Sequence, residues 1–86
     1  SVHTDINNIV VDDTKGEYVI TIVGNVLTVT GIKATAKVYV TNVAGQQINT
    51  ATVCGKDVTF ILPGQGVYIV TIITNGVTKS YKIINN

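Results

Sequence analysis

Residues 68–84 have the sequence YIVTIITNGVTKSYKII, in which Asn75-Gly76 separates two runs rich in Val, Ile, Thr and Tyr. β-Branched and aromatic side chains favour extended strands, and Asn-Gly accepts the positive φ angles of the tight turns that join paired strands. This segment therefore predicts a β-hairpin. A second hairpin is predicted where Gly24-Asn25 separates residues 18–23 from residues 26–30, which have the same character.

The rest of the chain has a similar composition. It contains 15 valines, 12 isoleucines and 13 threonines, so that 40 of its 86 residues are β-branched, and no block rich in Ala, Leu, Glu and Lys suggests a helix. Further strands are predicted at residues 36–42, 46–53 and 57–62, with a short opening strand near residues 9–11. Residues 67–73 are apolar at nearly every position, which predicts a central strand covered on both faces.

Turn signals recur at the short, regular spacing that is typical of a sandwich. We predict a single all-β domain over residues 1–86, an immunoglobulin-like β-sandwich of about seven or eight short, mainly antiparallel strands, with residues 1–8 as a frayed N-terminal linker. A left-handed or bulged residue is predicted at Gly45. The alternation of side chains predicts four that face the core: Leu27, Val29, Val38 and Val40. Because the sequence begins with Ser1 rather than Met, we interpret it as a fragment or a processed product.

Residues that could perform chemistry are few. His3 and Cys54 are the only histidine and cysteine, so a four-ligand zinc site and an intrachain disulfide are excluded. Catalysis by either residue would also require a partner held against it, and the sequence suggests none. Asp12-Asp13 provides too few oxygens for Ca²⁺ and is interpreted as a solvated turn. We therefore expect no enzymatic activity, no metal and no cofactor.

The charge pattern argues against two classes of partner. The net charge is +1, there is no arginine, and the six lysines are spread along the chain, whereas nucleic-acid binding requires clustered basic residues. No apolar run approaches the ~20 residues of a membrane-spanning helix. We expect neither nucleic-acid binding nor membrane insertion.

Three segments occur in an informative order. Residues 36–48, AKVYVTNVAGQQI, lead from a strand into a glycine turn. Residues 62–70, LPGQGVYIV, place Gly-x-Tyr at the start of a strand, and residues 76–84, GVTKSYKII, form the closing strand. In order and position they resemble the segments v.v.n..G..v, l..GvYiv and g....kki.v of the gingipain-type C-terminal sorting domains of type IX-secreted bacterial proteins. The resemblance extends from Leu27 to the end of the chain.

The resemblance implies a function without a reaction. Such a domain is the signal that the type IX outer-membrane translocon recognises, and a sortase-like protease then removes it near its N-terminus. The protein would cross the periplasm to the outer membrane and end at the cell surface or secreted. The positions that match the motifs are Gly45, Gly66, Tyr68 and Lys82. For Gly66 and Tyr68 a purely structural role, as a tight turn and a buried ring, is equally well supported.

Two further expectations remain open at this stage. An immunoglobulin-like adhesion or carbohydrate-binding accessory module is the alternative function, and an exposed row of aromatic side chains would favour it. A short sandwich also has open sheet edges, which can pair with other chains. We therefore expect a homodimer formed through an edge strand or through exchange of the terminal hairpin.

Overall fold

The computed structural model describes the backbone of residues 9–12, and both backbone and side chains of residues 18–85. It is an all-β structure, as the composition predicts. The described strands are β1 (Ile9–Asp12), β2 (Val19–Val23), β3 (Val26–Thr30), β4 (Thr35–Asn42), β5 (Gln47–Cys54), β6 (Val58–Ile61), β7 (Gly66–Thr74) and β8 (Val77–Asn85). The predicted linker at residues 1–8, which includes His3, lies outside the described residues.

The strands form two antiparallel sheets that pack face to face. One sheet has the order β1-β2-β3-β6, and the other has the order β5-β4-β7-β8. Hairpins join β2 to β3, β4 to β5 and β7 to β8, whereas the other connections between β3 and β7 cross from one sheet to the other. With β1 set aside, three strands face four in the order of an immunoglobulin-like sandwich. The predicted fold class is thus confirmed, and β1 adds a fourth strand at the edge of the sheet formed by β2, β3 and β6.

The core lies between the sheets and contains the side chains that alternation predicts. Leu27, Val29, Val38 and Val40 are fully buried. They pack in one cluster whose other members are Tyr18, Ile20, Ile22, Ile32, Ala36, Val58, Phe60, Leu62, Tyr68, Val70, Ile72 and Ile83. Burying these side chains supplies the main driving force for folding.

Strand β7 is central, as predicted, but only one of its faces is fully covered. It lies between β4 and β8, and its inward-facing Tyr68, Val70 and Ile72 are buried. The alternate residues from Val67 to Ile73 are half-buried. The prediction of two covered faces was wrong because, among the described residues, no third layer packs on this sheet. Side chains of neighbouring strands shield the outer face only in part.

The turn of the terminal hairpin has the geometry that its sequence requires. Asn75 has a φ of 53° and Gly76 a φ of 76°. Two successive positive φ angles in a two-residue loop define the type I′ turn, whose twist matches that of the flanking strands. This turn fixes the register of β7 against β8, in which Thr74 pairs with Val77 and Gly66 with Asn85.

Candidate recognition site

The four motif positions converge at one end of the four-stranded sheet. Tyr68 of β7 lies between Asn42 of β4 and Ile83 of β8, and the next pair along β7 and β8 joins Ile69 to Lys82. Gly45 belongs to the turn that follows β4, and Gly66 begins β7. Residues far apart in the sequence therefore share one corner of the molecule.

Tyr68 has a structural role at this corner. Its ring is buried, with 5% of the residue exposed, and its hydroxyl donates a hydrogen bond of 2.8 Å to the Gly64 carbonyl oxygen. A tyrosine at the start of this strand that bonds back to the preceding loop is the tyrosine corner of immunoglobulin-like domains. The bond holds the loop of residues 62–65 against the end of the sandwich.

The same carbonyl accepts a second hydrogen bond from the far end of the chain. Asn85 is only 2% exposed, and its Nδ2 donates to the Gly64 oxygen at 2.8 Å and to Asn25 Oδ1 at 2.9 Å. Its own Oδ1 is buried and has no hydrogen-bond partner among the described residues. The end of β8 is thus tied to the loop before β7 and to the β2–β3 turn.

No role for Asn85 is predicted from the sequence pattern. The available signal was its position two residues after the buried Ile83, which places it on the inward face of β8. An inward-facing asparagine needs hydrogen-bond partners, because an unpaired buried amide is costly. Its partners, however, lie 21 and 60 residues away in the chain, so the sequence pattern could not name them.

Gly45 lies in an ordered turn. Its φ is 85°, which confirms the left-handed position predicted from the sequence. Asn42 organises the turn, since its Oδ1 accepts hydrogen bonds from the backbone N–H groups of Ala44 and Gln46 at 2.9 and 3.0 Å. The Gly45 N–H also donates to the Asn42 carbonyl at 3.0 Å. Space around Gly45 is open, so backbone conformation, rather than packing, favours glycine here.

Lys82 is the motif residue whose side chain is most available to a partner. It is exposed on the outer face of the sheet, whereas Tyr68 faces the core and the two glycines have no side chain. It belongs to β8, which is an edge strand. Among the side chains that the structure describes, the one carboxylate is that of Asp57, which lies near the opposite end of the sandwich. Within the described residues, Lys82 therefore presents a positive charge on an edge strand whose outer side pairs with no other strand.

The other candidate residues form no comparable site. Cys54 is an exposed free thiol at the end of β5, and Asp13 lies outside the described residues. Within residues 9–12 and 18–85, no three metal-ligating side chains come together. A shallow groove of about 200 Å³ lies at the end opposite the motif residues, and it is lined by Tyr18, Gly31, Lys33, Ala34, Thr74 and Asn75.

Aromatic side chains form no exposed row. The chain has five aromatic residues, all within the described part, and Tyr18, Phe60 and Tyr68 are buried. Tyr39 is half-buried on the outer face, with the Lys37 ammonium 5.6 Å from its ring centre. Tyr81 is half-buried, and its ring packs edge to face on the Tyr18 ring, with 6.4 Å between the two ring centres.

Comparison with known proteins identifies no relative, because no family model, curated protein or solved structure matches this chain. Within the described residues there is also no helix of sufficient length and hydropathy to cross a membrane.

Proposed function

We propose that this domain is a C-terminal secretion signal, recognised by the type IX outer-membrane translocon and removed by a sortase-like protease. In this role it performs no reaction and requires no cofactor. It accompanies its cargo across the periplasm to the outer membrane, and the cargo ends at the cell surface or secreted. The partners are the secretion machinery and the protease.

The observation that supports this proposal most is the convergence of the motif positions. Gly45, Gly66, Tyr68 and Lys82 come from three different segments, and strand register brings them to one corner. Tyr68 and the glycines shape that corner, and Lys82 is exposed on it. A signal built from separated motifs requires a fold that assembles them, and this sandwich does so.

The alternative function is less well supported. A carbohydrate-binding module usually presents aromatic faces to the sugar, because the flat apolar side of a sugar ring packs on them. No aromatic side chain of this chain is fully exposed. An adhesion module without aromatic stacking remains the second candidate, and the export experiment below separates the two.

The proposal is tested by fusing the domain to a periplasmic reporter in a host with an active type IX system. We expect the reporter at the cell surface or in the medium, and a host lacking the translocon should retain it in the periplasm. Lys82→Ala should reduce export, whereas Lys56→Ala, which removes another exposed lysine at the opposite end, should not. An intact, folded fusion that stays in the periplasm of the competent host would refute the proposal.

A further inference from the structure

Strand β8 is the longest uninterrupted edge of the described structure. It pairs with β7 over nine consecutive residues without a bulge. The opposite edge strand of the same sheet, β5, has a register shift opposite Val40 and Thr41, and edge strand β6 has only four residues. Strand β1 lies near β8 but belongs to the other sheet.

The tight turn determines which backbone groups of β8 are free. In a two-residue hairpin the residues that flank the turn, here Thr74 and Val77, exchange both backbone hydrogen bonds. Hydrogen-bonded and non-hydrogen-bonded pairs then alternate along an antiparallel ladder. Four residues of β8 therefore direct their N–H and C=O groups away from β7 and toward the open edge, the side of β8 with which no described strand pairs: Thr78, Ser80, Lys82 and Ile84.

Two hydrogen bonds elsewhere in the sheet agree with this alternation. When the alternation is followed from β8 through β7 to β4, it predicts a backbone hydrogen bond between Ala34 and Gly55. It also predicts that the N–H of Thr50 points away from β4. The Gly55 N–H does donate to the Ala34 carbonyl at 3.3 Å. The Thr50 N–H donates instead to the Asn49 side chain at 3.1 Å.

We propose that the open edge of β8 binds an extended segment of the secretion machinery, which adds to the sheet as a further strand. This inference rests on the function proposed above. A row of free N–H and C=O groups is matched by the backbone of another strand, which provides affinity with little dependence on sequence. Specificity comes from the side chains beside it, and exposed Lys82 favours a segment with a carboxylate at the neighbouring position.

The neighbouring Ile84 adds an apolar contact on the same face. It is 47% exposed, and it lies two residues from Lys82 on the outward side of β8. Covering it would add the burial of an aliphatic side chain to the backbone bonds. The partner segment is therefore extended, with an acidic residue beside Lys82 and an apolar residue beside Ile84.

The test is a proline at an edge position. In Ser80→Pro the missing N–H is one that points to the open edge, so the β7–β8 ladder is retained while the ring blocks an added strand. We expect export of the reporter fusion to fall about tenfold or more, equivalent to ~1.4 kcal/mol of binding free energy. The unfolding midpoint of the isolated domain, measured in parallel, should change little.

Three matched variants isolate the cause. Ser80→Ala removes the hydroxyl contact with Thr71 but keeps the N–H, and it should be exported normally. Thr52→Pro places the same ring on the open edge of β5 and should also be exported. Lys82→Glu, which keeps the backbone and reverses the charge, should be exported poorly because it repels the acidic partner.

The outcomes distinguish the two proposals. If the wild-type fusion is retained in the periplasm, the proposed function fails, and the inference fails with it. If the wild type and a folded Ser80→Pro variant are exported equally, strand addition is wrong while the secretion role stands. Loss of export for Ser80→Pro and Thr52→Pro alike would also contradict an interface specific to β8.

Discussion

At the scale of single residues, the Gly64 carbonyl is the point where two parts of the chain meet. The Tyr68 hydroxyl and the Asn85 amide both donate to it. Tyr68→Phe removes one donor and retains the buried ring, so we expect a loss of about 1 kcal/mol in the free energy of unfolding. Tyr39→Phe is the matched control, because Tyr39 is half-buried on the outer face. This variant should lose less than half as much unfolding free energy as Tyr68→Phe. Urea unfolding of the variants measures both.

A double-mutant cycle then tests whether the carbonyl is shared. In Tyr68→Phe or Asn85→Ala alone, the carbonyl keeps one donor, but in the double variant it has neither. The double variant should therefore lose more stability than the two single variants added together, by about 0.5 kcal/mol or more. Strict additivity would show that the two hydrogen bonds act independently and that the end of β8 is not coupled to the tyrosine corner.

At the scale of elements, the terminal hairpin depends on the backbone of its turn. Gly76 has a φ of 76° and open space around it, so Gly76→Ala adds no clash but places a Cβ in a left-handed conformation. We expect a loss of about 1 kcal/mol in the free energy of unfolding. Gly64→Ala is the control, because its surroundings are equally open and its φ is not positive. An equal loss of stability in both variants would show that the positive φ of the turn is not the reason why glycine is needed at Gly76.

The strands could be predicted from the sequence because their causes are local. Both signals, the alternation of apolar and polar residues and the turn chemistry of Asn75-Gly76, depend on neighbours in the chain. The hairpins lie where these signals predict them. Coverage of β7 was mispredicted because an apolar run does not reveal whether another layer packs on it. The convergence of Lys82 with Gly45 depends on the pairing of β4, β7 and β8, and the partners of Asn85 depend on the closure of the whole sandwich.

At the scale of the whole molecule, the open edge of β8 also predicts weak self-association. The edges β1 and β6 have four residues each and β5 is interrupted by a bulge, so β8 offers the most continuous row of free backbone groups. Exchange of the terminal hairpin, by contrast, would require the loop of residues 62–65 to open. The hydrogen bonds of Tyr68 and Asn85 to Gly64 oppose that opening. Pairing of two β8 edges is therefore the expected mode.

Light scattering across a concentration series of the isolated domain tests this prediction. The average mass should rise toward that of a dimer near 1 mM, where an association free energy of about −4 kcal/mol becomes detectable. Ser80→Pro should keep the domain monomeric over the same range, because its ring blocks the β8 edge without opening the hairpin. A dimer that persists in Ser80→Pro and disappears only when the hairpin is prevented from exchanging would contradict edge pairing. A wild-type domain that stays monomeric throughout would contradict the prediction and show that the β8 edge is protected. In a symmetric pair centred on Lys82, the two lysines would face each other and repel. Lys82→Ala then tests whether this repulsion prevents the pairing.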